Sequence, residues 1–133
     1  MSQNVDLVRS IYAEWARGDF GSIDWADPGF ELVAIGGPDP GSTTGRAAVR
    51  EGWRDFLSAW RDYRVTGEEF RELADGRVLV FNRLGGRGRG SGLELGRTET
   101  RGANLFELED GKVKRMVLYW DRERAIADLG LDA

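Results

Sequence analysis

The chain has 133 residues, with 19 Lys and Arg against 23 Asp and Glu, a formal net charge of −4, and neither cysteine nor histidine. Thiol nucleophiles, Cys/His zinc sites and imidazole acid–base chemistry are thereby excluded, and no metal or other cofactor is expected. The acidic balance argues against a nucleic-acid partner, and with no apolar run near the ~18 residues of a membrane span and no signal-peptide core in "MSQNVDLVRS", a single cytoplasmic domain over 1–133 is expected.

The first pattern is helical. Val5, Val8, Ile11, Tyr12 and Trp15 recur at three- and four-residue spacing, with Ser2 or Asn4 as cap and Gly18 as the stop. "FGSIDWADP" reads as a short helical turn ended by Pro28, "FELVAIG" as a strand over 30–36, and "GPDPGSTTG" as a loop. A second helix follows, with Thr44 as N-cap and Val49, Trp53, Phe56, Leu57 and Trp60 along one face. Gly52 weakens that helix, and close approach of another backbone would justify it.

From Tyr63 the period changes to two. "YRVTGEEFREL", "RVLVFNRL", "GLELGRTETRGANLFEL" and "KVKRMVLYW" read as strands of an antiparallel meander. Gly96 and Gly102 mark bulges or bends in the third of them. The turns fall at "ADG", at "EDG" and in the glycine-rich "LGGRGRGSG". That last stretch fits neither a dinucleotide fingerprint nor a P-loop, because the glycine spacing is wrong, no Gly-Lys-Ser/Thr is present and a strand follows. It reads as a turn. "DRERAIADLG" closes the chain as a short helix capped by Asp121 and Gly130. Helices first and consecutive strands after them imply an α+β fold.

Taken together, "VRSIYAEWARGDF", "GRAAVREGWRDFLSAW", "SGLEL" and "FELEDGKVKRMVLYWDRERAIADLGL" resemble SnoaL-like proteins of the nuclear transport factor 2-like superfamily, over residues 3–131. The resemblance implies a cone: a highly curved antiparallel sheet wrapped around N-terminal helices, enclosing an apolar pocket. It also implies a homodimer packed through the convex sheet face. Under it, Met116, Leu118 and Trp120 line the pocket, and Val117, Tyr119, Ala103 and Leu105 meet the partner subunit. The inward helix faces add Trp15, Trp53, Phe56 and Trp60, and the strand register adds Asn104 and Phe106, to a set that would bind a small apolar or planar molecule.

The chemistry is less well furnished. The steroid-isomerase members of the superfamily use a tyrosine, a carboxylate base and a protonated carboxylic acid. The resemblance lays these positions near Ile11, one residue before Tyr12, near Ala34, and near Asn104. Ala34 cannot abstract a proton. The single acid/base of the polyketide cyclases has Asp121, Glu94 and Asp24 as candidates, each with a structural reading of its own: helix cap, hairpin end and surface. Glu99 and Arg101, which an epoxide-hydrolase pattern would need, fall on the outward strand parity with a solvated ion pair as the plainer role. The candidate catalytic groups are thus Asn104, Tyr12 and Asp121. Two readings stand: a pocket enzyme of isomerase, cyclase or hydrolase type, and a non-catalytic dimeric ligand-binding module.

Overall fold

The computed structural model describes residues 3–20, 23–36, 41–58, 60–88 and 98–131, leaving aside the side chains of 56, 60–62, 86–88 and 98–100. In chain order the described elements are α1 (Gln3–Ala16), β1 (Ala26–Ile35), β2 (Gly41–Thr44), α2 (Arg46–Ser58), β3 (Trp60–Glu72), β4 (Val78–Gly88), β5 (Thr98–Glu109), β6 (Lys112–Tyr119) and α3 (Arg122–Leu129). The strands form one open sheet in the order β2-β1-β6-β5-β4-β3. The fold is the expected α+β cone, with one topological difference. β1 lies parallel to β6, from Glu31 opposite Arg115 to Ile35 opposite Tyr119, so the sheet is mixed. Hydrophobic alternation has no direction, so the pattern in "FELVAIG" carries no sign of which way its neighbour runs.

The curvature comes from irregularities in the ladders. Register shifts fall between Arg61 and Arg64 and between Gly67 and Glu69 in β3, between Glu107 and Leu108 in β5, and between Ala26 and Glu31 in β1. Each extra residue bends its strand and adds twist. The β1 irregularity replaces the expected short helix: the strand starts at Ala26 and carries Asp27, Pro28 and Gly29 through its bulge. Asp27 there turns its carboxylate onto the Gly29 amide at 2.8 Å, an Asx turn that competes with helix formation.

Other boundaries moved as well. Residues 41–44, expected as loop, form β2 against β1, while 37–40 lie outside the described residues. Thr44 belongs to that strand, and Gly45, at φ +99°, supplies the first helical carbonyl of α2, to Val49 N at 3.0 Å. Trp60 is not on α2. It opens β3 opposite Gly88, because the helix stops at Ser58. Leu84–Gly88 of the glycine-rich stretch continue β4 as strand rather than turning, and 89–97, with Glu94 and Gly96, lie outside the described residues. Ser2 lies outside them too, and Asn4 sits within α1, where its side chain donates to Gly76 O at 3.0 Å instead of capping.

Several signals read as expected. Gly18 ends α1 at φ +80°, its amide on Trp15 O at 2.9 Å. The Asp110-Gly111 turn has both residues at positive φ, 52° and 75°, which a two-residue hairpin of the tight kind requires. Asp121 caps α3 by accepting from Glu123 N at 2.9 Å, and Gly130 closes it at φ +65°.

The sheet is apolar on both faces. On the concave side Val80, Phe106 and Met116 pack against Val8, Ile11 and Trp15 of α1 and Val49 of α2. On the convex side Leu79, Phe81, Ala103, Leu105, Val117 and Tyr119 form a second buried cluster with Ala125, joined by Ile126, Leu129 and Leu131. The residues expected to meet a partner are thus buried within the chain itself, with Ala125 of α3 in their cluster and Ile126 and Leu129 packed against it. Arg122 fastens that helix: its Nε donates to Gly102 O at 3.2 Å, its Nη2 donates to Asn82 O at 2.9 Å, and it pairs with Glu68.

Two glycines are under opposite constraints. A Cβ on Gly102 would come within 2.5 Å of the Tyr119 carbonyl oxygen, in the ladder where β5 leaves β6. A Cβ on Gly52 would meet nothing within 4 Å, so the expected backbone approach is absent there. Gly102→Ala should destabilise the fold by about 1–3 kcal/mol through overpacking, and Gly52→Ala should stabilise it by up to ~1 kcal/mol through helix propensity. Urea unfolding of the two variants checks both signs.

Candidate functional site

Between the helices and the concave face lies a cavity of about 360 Å³. Its aromatic walls are Trp15 from α1, Trp53 from α2, Tyr63 from β3 and Trp120 just after β6. Leu32 and Ala34 of β1, Val65 of β3, Leu84 of β4, and Met116 and Leu118 of β6 complete the apolar surface. Ser42 and Thr43 of β2 line the exposed side next to Ala48 and Gly52 of α2. Among the described residues no carboxylate lines this cavity.

Of the residues expected at the pocket, Trp15, Trp53, Asn104, Met116, Leu118 and Trp120 thus lie on its wall. Phe106 sits behind the wall, fully buried, its ring edge-on to Tyr12 at 5.9 Å and tilted against Trp15 at 6.5 Å. The side chains of Phe56 and Trp60 lie outside the described residues. Trp15 is the centre of the aromatic packing. It meets Tyr12 at 5.0 Å, Trp53 at 5.3 Å and Trp25 at 6.0 Å edge to face, and stacks on Phe20 at 6.1 Å. Edge-to-face contacts of this kind add to simple area burial and fix ring orientation.

The polar feature of the site is a buried trio. Asn104 Nδ2 donates to the Tyr12 hydroxyl at 2.7 Å, and Asn82 Nδ2 donates to the same oxygen at 2.9 Å. Tyr12 is on α1, Asn82 on β4 and Asn104 on β5, where Val80 pairs with Asn104 and Asn82 with Gly102. Asn104 reaches the cavity; Tyr12 and Asn82 lie behind it. Asn82 Oδ1 is fully buried and has no hydrogen-bond partner among the described residues. It faces Gly102, 3.6 Å from where a Cβ would stand. Asn82 escaped the sequence reading, although strand parity carried the signal: Val78, Val80, Asn82 and Leu84 share one face, and the asparagine is the one polar member. Tyr63 escaped it as well; it lies within the register irregularity between Arg61 and Arg64 of β3.

Asp121 is not on the cavity wall, although Trp120 before it is; its carboxylate caps α3 by accepting from Glu123 N. Asp24 is not on the cavity wall; its backbone oxygen accepts from Lys112 Nζ at 2.6 Å. Glu94 and the side chain of Glu99 lie outside the described residues, and Arg101 is exposed. The titratable groups left near the cavity are phenols. Burial pushes the Tyr12 phenol well above its ordinary value, against the smaller pull of the Asn82 and Asn104 hydrogen bonds. Burial alone pushes Tyr63 up to about 12. Tyr119 is also raised, by burial first and then by the Asp128 carboxylate.

Tyr12→Phe strands two buried amide donors, and each stranded group costs about 1–3 kcal/mol. The single variant should therefore lose stability by more than its lost hydroxyl would suggest, and Tyr12→Phe with Asn82→Leu should recover part of that loss in urea unfolding. A second expectation concerns alkaline pH. All three tyrosines of the chain hold their protons more tightly when folded than the ~10 of a free phenol. The stability this supplies is whole below that value and is lost as pH rises through about 12, where Tyr63 ionises. Phenolate absorbance should consequently appear above pH ~10 and rise together with loss of the far-ultraviolet dichroism, rather than before it.

The fold recurs in solved structures. TerC co-crystallised with polyporic acid is 24% identical over 96% of this chain and 98% of its own, with a TM-score of 0.71. A protein from Jannaschia sp. CCS1 assigned as a SnoaL-like polyketide cyclase is 22% identical over 98% and 94%, at 0.72. A nuclear transport factor 2-like protein from Burkholderia pseudomallei K96243 is 20% identical over 96% and 97%, also at 0.72. Among curated proteins none matches. The model of the SnoaL-like domain matches residues 8–116, and the chain belongs to that family.

Proposed function

We propose that the protein binds a planar, largely apolar molecule in this cavity and presents Asn104 to a carbonyl or hydroxyl group on it. The observation that carries this reading is Asn104 itself. Its amide spends one hydrogen on Tyr12, and its second hydrogen and its oxygen have no partner among the described residues. An amide buried in an apolar wall is costly unless it is satisfied, and a ligand group can satisfy it. The Tyr12 anchor holds the amide in one orientation, which is the preorganisation a specific contact needs. Membership of the SnoaL-like family and the neighbour crystallised with polyporic acid agree with a small-molecule pocket.

Binding is favoured over acid–base turnover by what surrounds the ligand space. A general base must be within reach and hold a matched pKa. Ala34, Leu32 and Leu118 offer none, and the phenols of Tyr12 and Tyr63 stay protonated near neutral pH. What the site can do to a bound carbonyl is donate a hydrogen bond to it.

Naphthalene and naphthoquinone test this as a matched pair, read by quenching of the tryptophans on the cavity wall. The chain has no cysteine to react with the quinone. Naphthoquinone should bind about tenfold tighter than naphthalene, a factor worth one hydrogen bond. Asn104→Leu should erase that difference, and Ala34→Phe should weaken both by occupying the cavity. Equal affinities in the wild-type protein, or insensitivity to Ala34→Phe, would overturn the reading.

A further inference from the structure

A second depression, of about 500 Å³, lies on the other side of Trp53 and Tyr63, between the end of α1 and the face of α2. Its floor is aromatic: Phe20 lies 5.8 Å from Tyr63 and 6.1 Å from Trp53, centroid to centroid. Its rim is cationic, with Arg17 after α1, Arg50 and Arg54 on α2, and Arg64 on β3. No carboxylate lines it among the described residues.

Three features set this apart from ordinary surface charge. The arginines come from three separate segments, so the fold rather than a local run of sequence gathers them. They gather on a chain whose net charge is −4. And the arrangement works against the structure that holds it. Arg46, Arg50 and Arg54 stand at four-residue intervals on α2, where like charges repel and destabilise a helix. Glu51 sits three residues before Arg54, yet no ion pair joins them, and Arg17 is likewise without an ion pair among the described residues. Arg64 is tied down, its Nη1 donating to Ala16 O at the end of α1 at 3.0 Å. One fixed guanidinium and two that make no ion pair among the described residues, Arg17 and Arg54, face an aromatic floor.

We propose that this groove is a binding site for a planar aromatic anion. The ring would lie against Phe20, Trp53 and Tyr63, and a carboxylate, sulfonate or phosphate would be held between Arg17 and Arg54. Guanidinium groups pair with such oxyanions through two parallel N–H donors, and aromatic faces take the ring. The site is distinct from the apolar cavity, although Trp53 and Tyr63 wall both.

Naphthalenesulfonate, with naphthalene as its uncharged counterpart, tests the proposal by tryptophan quenching and by calorimetry. The sulfonate should bind the wild-type protein, and its affinity should fall as salt is raised. Arg17→Gln with Arg54→Gln should cost about tenfold in sulfonate affinity, the scale of one charge-assisted hydrogen bond, and leave naphthalene binding unchanged. Arg17→Lys with Arg54→Lys should retain part of it. Because all four substitutions are at exposed positions, circular dichroism should show the wild-type fold. Ala34→Phe, which fills the apolar cavity, should leave sulfonate affinity as it was. An absence of sulfonate binding, an affinity indifferent to the glutamines, or one abolished by Ala34→Phe would each overturn the groove, the last by placing the sulfonate in the cavity instead.

Discussion

A strand sends alternate side chains to opposite sides, so a strand apolar at every position must be covered on both. Here that constraint governs the molecule. Met116 and Leu118 of β6 face one way and Val117 and Tyr119 the other, and β4 and β5 repeat the pattern with Val80 against Leu79 and Phe81, and Phe106 against Leu105. The concave side is covered by α1 and α2. The convex side carries α3, packed on β5 and β6, which is only eight residues long and too short to be stable alone. It holds its place because Arg122 reaches two strand carbonyls while Ala125, Ile126 and Leu129 cover the apolar face.

The helices do not fill the concave side completely, and the remaining space is the cavity. Its position follows from where large side chains stop. Trp15 collects rings from α1, α2 and β5 into one aromatic cluster, whereas Ala34, Ala48 and Gly52 leave room in the cavity wall. Within this apolar setting the Tyr12 hydroxyl serves as the common acceptor for Asn82 and Asn104. That arrangement ties the first helix to two adjacent strands and sets the one amide that reaches the ligand space. Fold and site share these three residues, so specificity at Asn104 is inherited from the packing of α1 on the sheet.

Much of this was legible in the residues. Helical spacing from Val5 to Trp15 identified the inward face of α1, and strand parity separated Met116 and Leu118 from Val117 and Tyr119. Turn chemistry at Asp110-Gly111 and the caps at Asp121 and Gly130 were local signals with local outcomes. What escaped depended on distance. Nothing in "FELVAIG" reveals a parallel neighbour more than 80 residues on. Nothing in "ADP" reveals a bulge where Pro28 suggested a helix end. The helical pattern through Trp60 was overridden because the chain had to enter β3 there. The covering of the convex face by α3 is equally non-local: the strands showed that a cover was needed, and a second subunit and a short helix satisfy that need alike. Arg122 could not be singled out, since two of its partners are backbone carbonyls, which sequence does not distinguish, and the third, Glu68, is 54 residues away.

The same non-local logic bears on how the two binding surfaces relate. Trp53 and Tyr63 each present one side to the apolar cavity and the other to the arginine-rimmed groove. Trp53 is only half-buried, and it packs on Trp15 at 5.3 Å and on Phe20 at 6.1 Å, one ring facing each volume. A ligand on one side reaches the other only by displacing Trp53 or Tyr63, because interiors at this density transmit displacement rather than absorb it. Binding free energies coupled through a shared wall are reciprocal: whatever an anion in the groove does to affinity in the cavity, the cavity ligand must do to the anion. The partition also limits what a single ligand can be. A molecule held by Asn104 and one held by Arg17 and Arg54 sit on opposite sides of two aromatic rings, so a compound satisfying both would have to displace Trp53, at the expense of the ring cluster that holds α1 to α2.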